Sequence, residues 1–168
     1  MNFLKNLKKE NGVQFDIKNN LISLLIILLI FFFDRFSKIK IINYQTNNNR
    51  TYVNEFINID LVWNTGIGFG LLSSSSNLIY NLITALITTV IIFLIYLIIK
   101  SKLADKILYS LVLGGAVGNL FDRLTYFAVP DFIDIHYQNF HWFTFNIADI
   151  FITLGIVTII FKDLLFKK

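Results

Sequence analysis

Two aspartates stand out among the residues able to do chemistry. They are Asp131, in Val129-Pro130-Asp131-Phe132, and Asp149, in Phe145-Asn146-Ile147-Ala148-Asp149. They flank a short aromatic stretch in a chain that is otherwise mostly hydrocarbon. A carboxylate near lipid is costly to keep, so it usually has a task. If the two meet across a water molecule, like-charge proximity raises one pKa and the pair shares a proton. One carboxyl can then act as base toward water while the other protonates a carbonyl or leaving group. Asn146 lies one turn before Asp149 and can orient its carboxylate by hydrogen bonding. Pro130 fixes its own backbone and biases Val129 toward an extended form, which puts Asp131 on a short rigid segment. The same spacing also suits a proton relay or a structural pair.

The elements that must hold these groups are apolar. Of 168 residues, 55% are hydrophobic and 16% aromatic, and only one Pro interrupts the chain. The mean hydropathy is +0.64. This density of apolar stretches argues for spanning helices rather than a water-soluble core. The absence of Cys excludes disulfides, thiolate catalysis and Cys-ligated metals. We expect one domain over 1–168, an all-α membrane protein with four transmembrane helices at about 20–42, 78–99, 104–123 and 144–163. The loops at 43–77 and 124–143 connect them on one side. The first of these, with its alternating Asn58-Ile59-Asp60-Leu61-Val62, is expected to form a small β-rich subdomain between helices one and two.

Lysine placement sets the expected orientation. Lys5, Lys8, Lys9 and Lys18, then Lys100, Lys102 and Lys106, then Lys162, Lys167 and Lys168 all fall on one side. Arg35, Lys38, Lys40, Arg50 and Arg123 are left for the other. The positive-inside rule makes both termini cytoplasmic and both long loops external. The N-terminal apolar run continues into Asp34-Arg35-Phe36-Ser37-Lys38 without a small-residue cleavage site, so it reads as an uncleaved span. Asp34, Asp122, Asp131 and Asp149 then share one outer layer of the membrane. The charge of +4 is explained by this distribution, and no nucleic-acid binding is expected.

Each remaining motif has an ordinary reading as well as a functional one. Asp34 and Lys38 form an i,i+4 pair in the favourable order, which suffices for a neutralising salt bridge. Asn119, Asp122 and Arg123 share a face at the end of helix three, where Arg123 could snorkel to headgroups. Gly114 and Gly118 have the spacing of a close helix contact. The stretch Asn64-Thr65-Gly66-Ile67-Gly68-Phe69-Gly70 lacks the Lys of a phosphate loop and faces outward. Ser73 to Ser76 read as a polar cap to helix two. His136, Tyr137, His141 and Trp142 read as an interfacial aromatic belt, and the two histidines lack a third metal ligand.

Five blocks in order carry a resemblance. They are Asp34-x-x-x-Lys38; Asn64-x-Gly66-x-x-Phe69-Gly70; Gly114-Gly115-Ala116-x-x-Asn119-x-x-Asp122-Arg123; Val129-x-Asp131-Phe132; and Phe145-Asn146-x-Ala148-Asp149. From about Leu21 onward the chain resembles the lipoprotein signal peptidase (signal peptidase II) family, which are aspartyl proteases of the bacterial inner membrane. The resemblance implies Asp131 and Asp149 as the catalytic dyad. It implies Asp34, Lys38, Asn64, Gly66, Asn119, Asp122, Arg123 and Asn146 as substrate-binding or supporting residues. It also implies cleavage of prolipoproteins before a diacylglyceryl-modified cysteine, with membrane lipid as the medium and no metal or organic cofactor. Three positions depart from the family pattern. Pro130 replaces an aliphatic residue, Gly68 stands where Ala is common, and Phe143 stands where Pro is common. The rivals are a small proton-coupled transporter titrating Asp149 and a non-enzymatic scaffold that pairs through Gly114 and Gly118.

Overall fold

The computed structural model describes residues 17–45, 51–66 and 77–166. Lys5, Lys8, Lys9, Arg50, Gly68, Phe69, Gly70, the serines 73–76, Lys167 and Lys168 lie outside the described residues. Among the described residues four helices are seen: α1 (Ile17–Tyr44), α2 (Asn77–Lys100), α3 (Leu103–Tyr126) and α4 (Ile147–Phe166). At 1.5 Å per residue the shortest, with 20 residues, is about 30 Å long. By length and composition α2 and α3 are each able to cross a membrane.

The helices are apolar outside and partly polar inside. Leu25, Leu29, Phe32 and Phe36 of α1 and Leu82, Leu86 and Phe93 of α2 are exposed, whereas Asp34, Lys38, Asp122 and Arg123 are buried. Water would penalise that arrangement, but a hydrocarbon surround favours it. Helix α3 is the central element, packed against α1, α2 and α4. Ile91, Leu94 and Ile98 of α2 meet Val112, Leu113 and Ala116 of α3 in the apolar core. Two glycines set how closely the helices approach. A Cβ at Gly115 would stand 2.5 Å from the Ala148 carbonyl oxygen, and one at Gly118 would stand 2.6 Å from Asp34 Oδ2. Gly114 likewise meets Ile30 of α1. The Gly114–Gly118 spacing is therefore a packing seam within the chain, and α1 already covers the face a scaffold would need.

Strands β1 (Thr51–Tyr52), β2 (Ile57–Asn64), β3 (Val129–Tyr137) and β4 (Phe140–Phe145) form one antiparallel sheet in that order. This corrects the expectation in two places. The sheet is not confined to the 43–77 segment, since β3 and β4 come from the stretch read as a loop at 124–143. Helix α4 also begins at Ile147 rather than near 144, because Phe143–Phe145 are strand. Strand β3 is central and buried on both faces over most of its length. It therefore lacks the apolar–polar alternation that reveals a half-exposed strand. Pro130 is tolerated because it lies beyond the pairing of β4, which begins at Ile133.

Candidate active site

Asp131 extends from β3 and Asp149 from the first turn of α4, and one side chain ties them together. Asn146 Nδ2 donates to Asp131 Oδ1 at 2.6 Å. Asn146 Oδ1 accepts the Asp149 backbone N–H at 3.0 Å, and the Asn146 N–H donates to Asp149 Oδ2 at 3.2 Å. This reciprocal pairing is a capping box: Asn146 caps α4 and Asp149 occupies the third helical position. The helix start thus aims both groups.

Each carboxylate has a second donor. Asn64 Nδ2 donates to Asp131 Oδ2 at 2.9 Å, while Asn64 Oδ1 accepts the Gly66 N–H at 2.8 Å. Asn119 Nδ2 donates to Asp149 Oδ1 at 2.8 Å. Asn119 Oδ1 receives Lys38 Nζ at 2.9 Å and Asn146 Nδ2 at 3.2 Å. Burial, and then the charge of Asp149, push the Asp131 carboxyl up to about 7, against the pull of the Asn64 and Asn146 hydrogen bonds.

Beneath the dyad lies a compensated set of charges. Lys38 Nζ is 2.7 Å from Asp34 Oδ2 and 2.7 Å from Asp122 Oδ2, and all three side chains are fully buried. Asp34 Oδ1 accepts the Ala148 N–H at 2.9 Å, so the same carboxylate also satisfies a donor of α4's first turn. Arg35 pairs with Asp122 and lies over the Phe121 ring at 4.8 Å. Arg123 does not snorkel outward. It is 2% exposed, with its guanidinium 5.3 Å from the Tyr80 ring centroid.

Sequence reasoning placed every one of the ten proposed site residues in this region, and the structure brings them into one connected cluster. It missed Arg35, Tyr80 and the backbone N–H of Ala148. Arg35 and Asp122 lie 87 positions apart on different helices, so no spacing rule could find their pairing. The capping box was legible, since Asn146-Ile147-Ala148-Asp149 places a capping residue three positions before an acid. His136 does not belong to an exposed aromatic belt, because it is buried. His141 bonds Asp134 Oδ2 at 2.8 Å.

A cavity of about 290 Å³ opens on the dyad. Leu86, Ile87 and Val90 of α2, Val112 and Ala116 of α3, and Ile152 and Ile156 of α4 form its apolar walls. Asn64, Asn119, Arg123, Asp131 and Asp149 supply its polar groups. This is a greasy slot with a carboxylate pair, suited to an apolar chain carrying one polar bond.

Two solved structures share this architecture, each described as a bacterial membrane enzyme determined by the in meso method. They match with TM-scores of 0.74 and 0.73 at 31% and 30% identity, covering 88% of this chain and 92% and 94% of theirs. The fold is thus that of a membrane-embedded enzyme. The sequence profile described as Signal peptidase (SPase) II matches residues 26–165, and the chain belongs to that family. The lipoprotein signal peptidase of Pelagibacter ubique (strain HTCC1062) is 44% identical over 157 residues, covering 92% of this chain and 95% of the relative. That of Anaplasma marginale (strain Florida) is 35% identical over 152 residues, covering 89% and 88%. The protein is accordingly an integral membrane protease of the bacterial inner membrane that removes signal peptides from prolipoproteins. The transporter alternative is not supported.

Proposed function

We propose that Asp131 and Asp149 are the catalytic dyad of an aspartyl endopeptidase that cleaves before a diacylglyceryl-modified cysteine. The observation that carries this reading is Asn146, which bonds both carboxylates at the polar end of the apolar cavity. Asp131, pushed up to about 7, holds the shared proton. Asp149 accepts N–H donors from Asn119 and from the start of α4, a place that favours a negative charge. Ionised Asp149 removes a proton from water, whose oxygen attacks the scissile carbonyl carbon. Asp131 gives its proton to the carbonyl oxygen, and a tetrahedral diol results. Its collapse breaks the C–N bond as Asp149 passes its proton to the departing amine and Asp131 takes one from a diol hydroxyl, which restores the dyad. The products are the signal peptide acid and the free amine of the lipidated cysteine. Water and two carboxyl groups suffice, so no cofactor is invoked.

Asp34, Lys38, Asp122 and Asn119 fix the position of Asp149, while Asn64 with Gly66 fixes Asp131. Arg123 faces the substrate beside them. All four helices span as a single domain with both termini cytoplasmic and the sheet on the outer face. A lipid-modified cysteine at that interface presents its peptide bond at the depth of the dyad, and membrane lipid surrounds the rest. Purified protein should cut a diacylglyceryl prolipopeptide on the N-terminal side of the modified cysteine, as read by mass spectrometry. Cutting an unlipidated peptide equally well, or at another bond, would refute the substrate assignment.

A further inference from the structure

The side chain that follows α1 holds an irregularity in β2 on which the aim of Asn64 depends. Ile59 pairs with Ile133 and Val62 with Asp131, so Asp60 and Leu61 together stand opposite the single residue Phe132. This is a β-bulge. Side chains alternate along a strand, so one extra residue exchanges the faces of everything beyond it. Before the bulge, Asn58 is opposite Asp134; beyond it, Val62 is opposite Asp131 and Asn64 is opposite Val129. Asn64 therefore projects from the same face as Asp131. Continued without the bulge, the pairing would bring Leu61 opposite Asp131 and Trp63 opposite Val129. Asn64 would then turn away from the carboxylate it now bonds.

A bulge takes backbone groups out of the regular ladder, and these need partners elsewhere. Gln45 supplies them. Its Nε2 donates to the Ile59 carbonyl oxygen at 2.9 Å, and its Oε1 accepts the Leu61 N–H at 2.6 Å. One amide thus clamps both sides of Asp60. The side chain is 8% exposed, so these bonds form where few waters could replace them.

We propose that Gln45 is a positioning residue for peptide cleavage, holding the β2 bulge in the phase that directs Asn64 onto Asp131. The inference rests on the assignment of Asp131 to the catalytic dyad. Loss of the clamp releases the Asn64 bond, and the Asp131 carboxylate loses a donor that favours its ionised form. The proton then leaves at higher pH.

The test uses the full chain purified in detergent and assayed across pH on a diacylglyceryl prolipopeptide, with thermal unfolding followed in parallel. Gln45→Met keeps the bulk and removes both bonds. Gln45→Met and Asn64→Ala should each move the alkaline limb of kcat/KM upward by about one to two pH units, the worth of one hydrogen bond to a charged group. The double variant should move it no further than Asn64→Ala, because both act through one bond. Gln45→Glu, which keeps the acceptor for Leu61, should give a smaller shift and carries the comparison if Gln45→Met does not fold. An unmoved limb in the folded Gln45 variants, or a shift that adds to that of Asn64→Ala, overturns the inference while leaving the dyad intact. Cleavage by Asp131→Asn would instead remove the dyad reading, and the inference with it.

Discussion

In the proposed mechanism the proton on Asp131 controls the chemistry and links the site to pH. Burial and Asp149 raise this carboxyl from an ordinary 3.8 to about 7. Between those values the folded chain holds a proton that the unfolded chain has released. Stability contributed by this group therefore declines as pH rises from about 4 to about 7, and is level above. Activity needs the shared proton, so kcat/KM should fall above about pH 7 in a pH-rate profile. A rate that stays level to pH 9 would contradict that role. Lys38 is the cation common to Asp34, Asp122 and, through Asn119, Asp149. Lys38→Met should cost about 3–5 kcal/mol by leaving buried carboxylates uncompensated, measured by thermal unfolding in detergent. The two aspartates were legible in the sequence because acids are rare among hydrocarbon. The bridging role of Asn119 was not, since its partners Lys38, Asn146 and Asp149 lie on three different elements and an amide on a helix face has no distinctive spacing.

At the scale of elements, the start of α4 does two separable things. Asn146 caps the helix with its Oδ1 and holds the Asp131 carboxylate with its Nδ2, while its backbone N–H holds the carboxylate of Asp149. Asn146→Ser keeps a capping oxygen but loses the Nδ2 donor. It should unfold within about 1 kcal/mol of the parent while kcat drops at least tenfold. A kcat close to that of the parent would show that the bridge is dispensable. The α1–α3 seam gives a second expectation. Gly118→Ala should destabilise by about 1–3 kcal/mol, because its methyl group meets Asp34 Oδ2. The four apolar helices were legible from long uninterrupted runs. Strands β3 and β4 were hidden for opposite reasons: β3 is buried on both faces, and the aromatic residues of β4 also suit an interfacial loop. The bulge at Asp60 and Leu61 likewise breaks the alternation that first suggested a strand there.

The whole molecule turns a soluble protein's pattern inside out, with charge enclosed and hydrocarbon exposed. That arrangement suits the inner membrane, and lysine asymmetry gives the proposed direction. Having no cysteine, the chain allows clean single-cysteine labelling. Glu55→Cys should react with a membrane-impermeant maleimide added outside spheroplasts, whereas Lys102→Cys should react only after lysis. The opposite pattern would invert the topology. Helices and sheet together bring Asp131 and Asp149 side by side at an apolar slot, and the proposed topology sets both at one depth. The most direct test is cleavage of a diacylglyceryl prolipopeptide by purified Asp131→Asn and Asp149→Asn, each checked to be folded by thermal unfolding. Both should be folded and show no detectable product where the parent chain cleaves to completion. Robust cleavage by either would contradict the dyad.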